Sequence, residues 1–266
     1  MARLILLILL IAAAPAAAQP RRIVSLDLCA DQLVLALADR AQIAAVTRNA
    51  VDPTLSAFAA RARGVPLVRG GAEGLLALDP DLVVAMPGIS QPGADLLRRR
   101  GVRFVDAPDA PSYAAIRTLV EQVAAGIGRP AAGADMVRLM DSRLAALPRN
   151  PGRGRVAAYY QRRGFMTGGG TLVDDLFGRV GLVNLATRLG KPPLSQLSLE
   201  ELIAARPDVI VLERDSMVVA DQGTEMLHHP ALRNIPRIWL PQAWTVCGSP
   251  AYVLAAESLA RQLGGR

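Results

Sequence analysis

Glu73-Gly-Leu-Leu-Ala-Leu-Asp-Pro80-Asp81-Leu-Val-Val-Ala85 is matched later in the chain by Glu200-Glu-Leu-Ile-Ala-Ala-Arg-Pro207-Asp208-Val-Ile-Val-Leu212. The offset is constant, since 207 − 80 = 127 and 200 − 73 = 127. Each copy keeps a carboxylate, an aliphatic pair, Pro-Asp and a four-residue apolar run in register. Each reads as a short acidic-led helix that stops at Pro-Asp and enters a buried strand, because proline disfavours helix in the residue before it. Two such units predict two similar α/β lobes, and two lobes imply a cleft between them.

The flanking sequence extends the same pattern. Strands are expected at 23–26, 43–46, 82–85 and 102–105. Helices are expected at 30–38, from Pro53 to about Arg61, and over 91–100, where Gly101 supplies a stop. Strands alternating with helices at this spacing predict βαβ units and a parallel sheet. The middle differs: 113–125 and 131–147 are two helical patterns with no strand between them, separated by Gly126, Gly128 and Pro130. Alternation resumes with strands at 156–160, 209–212 and 238–240, and with helices at 172–180 and 250–263. The expected architecture is α/β: two Rossmann-like lobes with parallel sheets, residues 19–128 and 151–266, joined by one long α-helix within 129–150. That helix would span roughly 25 Å. A cleft joined by a helix should move less than one joined by flexible strands.

The chain starts with Arg3, an apolar stretch from Leu4 to Ala14, and Ala16-Ala17-Ala18 before Gln19. This reads as a cleavable signal peptide over residues 1–18. The apolar stretch is too short to span a bilayer comfortably. Cleavage leaves 266 − 18 = 248 residues, enough for two small lobes, in an exported, periplasmic protein. The formal charge is +7 and falls to about +6 without Arg3. A basic chain suggests nucleic acid. Here the arginines are dispersed and aromatic residues are only 4% of the chain, so a solvated basic surface is the expectation.

The chain resembles the periplasmic binding proteins for cobalamin and ferric siderophores, the substrate receptors of ABC importers with a helical lobe linker. The match rests on Arg22-Ile-Val-Ser-Leu26, Glu73…Pro80-Asp81, Leu96…Gly101-Val102, Thr167-Gly168…Thr171, Leu199-Glu200…Pro207-Asp208 and Trp244…Pro250, in that order. It departs at Asp27-Leu28 and Asp31-Gln32, where such receptors often show Ser-Pro and Thr-Glu. The resemblance implies a monomeric receptor that binds one small metal chelate between its lobes. It also implies docking on an ABC-transporter permease dimer, with Glu73 and Glu200 meeting permease arginines, one from each lobe. Acids at a helix start are equally what the helix dipole favours.

In parallel α/β sheets the ligand crevice lies beyond the carboxyl ends of the strands. On that ground the cleft candidates are Asp27, Cys29, Arg48, Tyr160, Arg162, Arg214, Trp244 and Cys247. Cys29 and Cys247 admit three readings: a disulfide across the cleft, thiols on the ligand or its metal, or two separate buried residues. Trp244 is expected to wall the ligand, with a core tryptophan as the alternative. Convergence of Arg48, Arg162 and Arg214 would make a positive cleft suited to an anionic ferric chelate. His228 and His229, the only histidines, are adjacent before Pro230 and read as loop residues. No protein-bound metal and no cofactor beyond the cargo is expected, and no nucleic acid.

An enzyme is the reading from another class. The chain has no G-x-S-x-G, no Walker loop and no H-E-x-x-H, and Gly126-Ile-Gly128 follows a helix instead of a strand. A secreted α/β enzyme using cleft carboxylates remains the alternative. The expected function is binding: a ferric siderophore or cobalamin, with haem as a further candidate ligand.

Overall fold

Leu82–Ala85 and Val156–Tyr159 are buried at every position, the signature of strands covered on both faces of a parallel sheet. A computed structural model describes residues 19–89 and 93–265; the segment read as a signal peptide lies outside the described residues. The amino-terminal lobe holds β1 (Ile23–Ser25), β2 (Ile43–Ala45), β3 (Leu82–Ala85) and β4 (Arg103–Asp106), all parallel, in the order β2-β1-β3-β4. The carboxy-terminal lobe holds β5 (Val156–Tyr159), β7 (Val183–Asn184), β9 (Val209–Glu213) and β10 (Arg237–Leu240), also parallel, in the order β10-β9-β5-β7. Read from the other edge, that order repeats the first lobe strand for strand. The second lobe adds a short antiparallel ribbon of β6 (Phe165–Thr167) and β8 (Leu194–Gln196).

The helices of the first lobe are α1 (Leu28–Leu37), α2 (Ala59–Ala62), α3 (Ala72–Ala77) and α4 (Ala94–Arg99). Next come α5 (Tyr113–Gly126) and α6 (Pro130–Ala145), then α7 (Leu172–Arg179), α8 (Leu185–Arg188), α9 (Leu199–Ala205), α10 (Gln222–Glu225) and α11 (Tyr252–Gly264). Their starts follow local chemistry. Ser198 and Glu201 close a capping box on α9, and Pro130 opens α6. The helix expected from Pro53 is replaced by a turn, with only α2 at its end. Asp52 accepts from the Thr54 amide at 2.9 Å and the Thr54 hydroxyl at 2.7 Å, a local arrangement that competes with helix.

The repeated phrase has the same job in both lobes. Asp79 and Arg206, with 206 − 79 = 127, both take left-handed backbone at φ 43° and 48°, and so end α3 and α9. The Pro-Asp carboxylate then grips the start of the neighbouring strand. Asp81 accepts from the Arg21 and Arg22 amides at 2.7 and 3.1 Å; Asp208 accepts from the Val156 amide at 2.7 Å. Each clip fixes the third strand of a lobe in register with its first.

The long helix α6 carries the crossing between lobes, and α5 lies packed along it. Gly133 makes the approach close: an added Cβ would stand 2.5 Å from the Ala124 Cβ. One face of α6, with Val137, Met140 and Leu144, enters the main hydrophobic core. That core is continuous from Ile23 and Leu33 in the first lobe, through Ile116 and Val120, to Tyr159 and Phe177 in the second. Arg143 of α6 makes a two-pronged pair with Glu257 of α11 at 2.8 and 2.7 Å. Tyr113 stacks on Tyr252 at 5.5 Å, and Asp175 accepts from the Tyr252 hydroxyl at 2.5 Å. The connector is therefore a packed layer shared by both lobes.

Candidate functional site

The carboxyl ends of β5, β9 and β10 open onto a depression of about 220 Å³. Tyr159, Gln161, Glu213, Gln242 and Thr245 come from those strand ends, and Thr171, Leu172 and Val173 from the start of α7. Asp109, in the loop after β4, faces it from the first lobe. A second depression of about 310 Å³ shares Gln161 and Glu213 and adds Arg162, Phe165 and Leu194. Leu194, at the ribbon, is 65% exposed, so this end of the groove offers an apolar wall.

Glu213 is the centre of this surface. It is only 7% exposed, and burial raises its carboxyl above the ordinary range. Its Oε1 accepts from Gln161 Nε2 at 2.6 Å and from the Tyr159 hydroxyl at 3.4 Å. The Tyr159 and Thr245 hydroxyls meet at 3.0 Å. Burial pushes the Tyr159 phenol up, so it stays neutral and available as a donor.

The lobes are also joined covalently. Cys29 at the start of α1 and Cys247 before α11 form a disulfide with Cα atoms 5.3 Å apart. Beside it Ser249 Oγ donates to Gln32 Oε1 at 3.3 Å. Gly248 approaches Ala110 so closely that a Cβ would sit 2.4 Å from the Ala110 carbonyl oxygen. Glycine is therefore required where the lobes touch.

The other expected cleft residues divide. Asp27 is structural: it caps α1 through the Cys29 and Ala30 amides and accepts from the Met86 amide at 2.7 Å. Tyr160 is corrected from cleft to core. It is 0% exposed, and its hydroxyl donates to the Leu197 carbonyl at 2.9 Å. Neighbouring side chains leave a strand on opposite sides, so Tyr159 reaches the groove and Tyr160 the outer core. Trp244 is half-buried, packed in part against the main core, while Gln242, Thr245 and Val246 around it line the depression. Arg162 lines the second depression with its guanidinium paired to Asp221. Arg48 and Arg214 are exposed in turns after β2 and β9 and line neither depression. Glu73 and Glu200 are exposed in the first turns of α3 and α9.

Sequence reasoning missed Asp109, Gln161 and Glu213. The signal was present: Glu213 is a carboxylate closing an apolar strand, and Asp109 and Gln161 follow strand ends. His228 and His229 hold loops, through the Ser216 carbonyl at 2.8 Å and the Ala231 amide at 3.2 Å.

The model of the periplasmic binding protein family matches residues 23–237. The chain belongs to this family. Among solved structures, the periplasmic heme-binding protein RhuT from Roseiflexus sp. RS-1, in apo form, is 25% identical, with a TM-score of 0.73 over 92% of this chain and 98% of that one. The periplasmic heme-binding protein HutB of Vibrio cholerae, 21% identical, shares the fold with a TM-score of 0.74 over 90% and 97%. A curated relative, a cobalamin-binding protein of Halobacterium salinarum, is 27% identical over 200 residues, 73% of this chain and 54% of that protein. The chain thus spans about half the length of the curated relatives it matches.

Proposed function

We propose that this periplasmic binding protein is the substrate receptor of an ABC importer, exported by a cleavable signal peptide, and that it carries one metal chelate in the groove between its lobes. The observation that carries this reading is the groove itself, lying where parallel α/β sheets bind ligands, beyond the carboxyl ends of the strands. Among the described residues no group of three or more His, Cys, Asp or Glu is placed to hold a metal ion. Both cysteines are in the disulfide, and both histidines hold loops. A cargo metal must then arrive with its own ligands, as in cobalamin or a ferric siderophore. Haem iron would seek an axial side chain from the protein, and the hydroxyl of the groove's Tyr159, 2% exposed, is already held by Glu213 and Thr245, so haem ranks third. Capture is binding without bond-making in this reading.

Glu73 and Glu200 occupy corresponding helix starts on the two lobes, with their side chains in solvent. Such charges on a rigid frame set register and encounter rate with a partner more than they add affinity. They are assigned here to the permease dimer. The shared core and disulfide hold the lobes close, so release requires the docked importer to distort a clamped groove.

Mixing the mature monomer with cobalamin, a ferric siderophore and haemin, followed by native mass spectrometry, tests the cargo; a chain that binds none of them is not a chelate receptor. For docking, Glu73→Lys with Glu200→Lys should cut uptake about tenfold or more while binding in solution stays intact. Uptake at the unaltered rate removes the docking role and leaves the cargo reading standing.

A further inference from the structure

The charge carried by the groove is opposite to the charge of the chain. Although the protein is +7 overall, the only charged side chains lining the 220 Å³ depression are Asp109 and Glu213. Around them stand neutral polar groups, among them Gln161, Gln242, Thr171 and Thr245. The one arginine of the neighbouring depression, Arg162, is neutralised by Asp221. A basic surface is thus interrupted by an acidic floor at the place where a ligand would rest.

Glu213 is also half used. Its Oε1 takes both protein donors, and its Oε2 takes no hydrogen bond from any described residue. A carboxylate has about four acceptor positions, and burying one with half of them empty is costly unless a donor arrives. A ligand that covers this oxygen restores a donor only with an N–H or O–H of its own. A ligand carboxylate or phenolate brought to the same floor adds like charge in a partly buried site, which is repelled.

We infer that Glu213 and Asp109 make the receptor select chelates that present amide N–H or ammonium donors, and reject chelates that present carboxylate or phenolate charge. This rests on the receptor reading above and narrows it: the cationic surface plays no part in reading the ligand, and the two acids, one from each lobe, set specificity. It also reverses the expectation of a positive cleft drawn from Arg48, Arg162 and Arg214.

Calorimetric titration with four probes tests it: cyanocobalamin, which is rich in carboxamides; ferrioxamine B, which carries an ammonium; a ferric tris-catecholate; and haemin, which carries two propionates. One of the first two should bind at least about tenfold more tightly than either anionic probe. A hydrogen bond to a charged group is of that order, so Glu213→Gln should weaken the preferred probe about tenfold. Asp109→Asn, in an exposed loop, should weaken it about threefold, and the pair together should raise affinity for the anionic probes. Asp109→Asn serves as the independent arm should Glu213→Gln fold poorly. An anionic probe that binds best overturns the inference while leaving the receptor reading intact. So does a preferred probe that both variants bind within twofold of the parent. Binding of none of the four removes both readings together.

Discussion

At the cleft end of the amino-terminal sheet stands Asp31, 0% exposed, holding the Ser25 hydroxyl and both the amide and hydroxyl of Thr47. At the cleft end of the carboxy-terminal sheet stands Glu213, 7% exposed, with one oxygen held and the other open. Burial raises both carboxyls, Asp31 to about 6. The difference lies in the partners. Asp31 has its donors supplied from within, tying α1 to the ends of β1 and β2, and so belongs to the frame. Glu213, which lines the groove, has both its protein donors on one oxygen.

The comparison can be broken first at the bond that joins the lobes. Replacing Cys29 and Cys247 by serine opens a link between residues 218 apart in sequence. The chain-entropy limit for a loop of that length is about 5 kcal/mol. Denaturant titration should show a loss of about 2–5 kcal/mol, with separate unfolding of the lobes more pronounced. A midpoint unchanged by the double substitution means that the packed helices alone bind the lobes.

Asp31 sharpens the contrast through pH. Its folded pKa lies above its unfolded value, so the protonated carboxyl favours the folded state; that advantage is complete below about pH 4 and disappears as pH rises through about 6. A rise from 3.8 to about 6 corresponds to on the order of 3 kcal/mol. Asp31→Asn, which does not titrate, should therefore gain on the parent by that amount between pH 4 and pH 8. Parallel pH profiles for the two proteins would show that Asp31 ionises freely in the fold.

The smallest effect expected is at the repeated clips. Asp208→Ala leaves the amide of buried Val156 without an acceptor and should cost about 2 kcal/mol. Asp81→Ala frees the amides of Arg21 and Arg22, which water reaches, and should cost about 1 kcal/mol. Equal or reversed costs would mean that the lobes are not stabilised in the way their shared sequence suggests.

The frame was legible because it is written in backbone chemistry. Pro-Asp, the residue before it and the apolar run specify a helix stop, a register clip and a buried strand without help from distant residues. The groove was less legible because it depends on which side of a strand a residue leaves. Tyr159 and Tyr160 are neighbours, and one position exchanges groove for core. The ribbon of Phe165–Thr167 with Leu194–Gln196 pairs two three-residue strands across the intervening α7 and α8, too short and too distant for periodicity to show. Asp27 was read as a ligand group because helix capping and ligand binding ask for the same residue type at the same loop. The two cysteines could be placed on cleft loops, but their pairing is a matter of distance, which sequence does not carry.

The link between Cys29 and Cys247 also has a meaning for how the molecule is made. Its first sulfur is among the earliest residues of the folded chain and its second lies just before the final helix. A growing chain holds both sulfurs only once synthesis has run the 218 residues from Cys29 to Cys247. The ring can therefore close only after every strand of both sheets has been synthesised, so the fastening follows the parts it fastens.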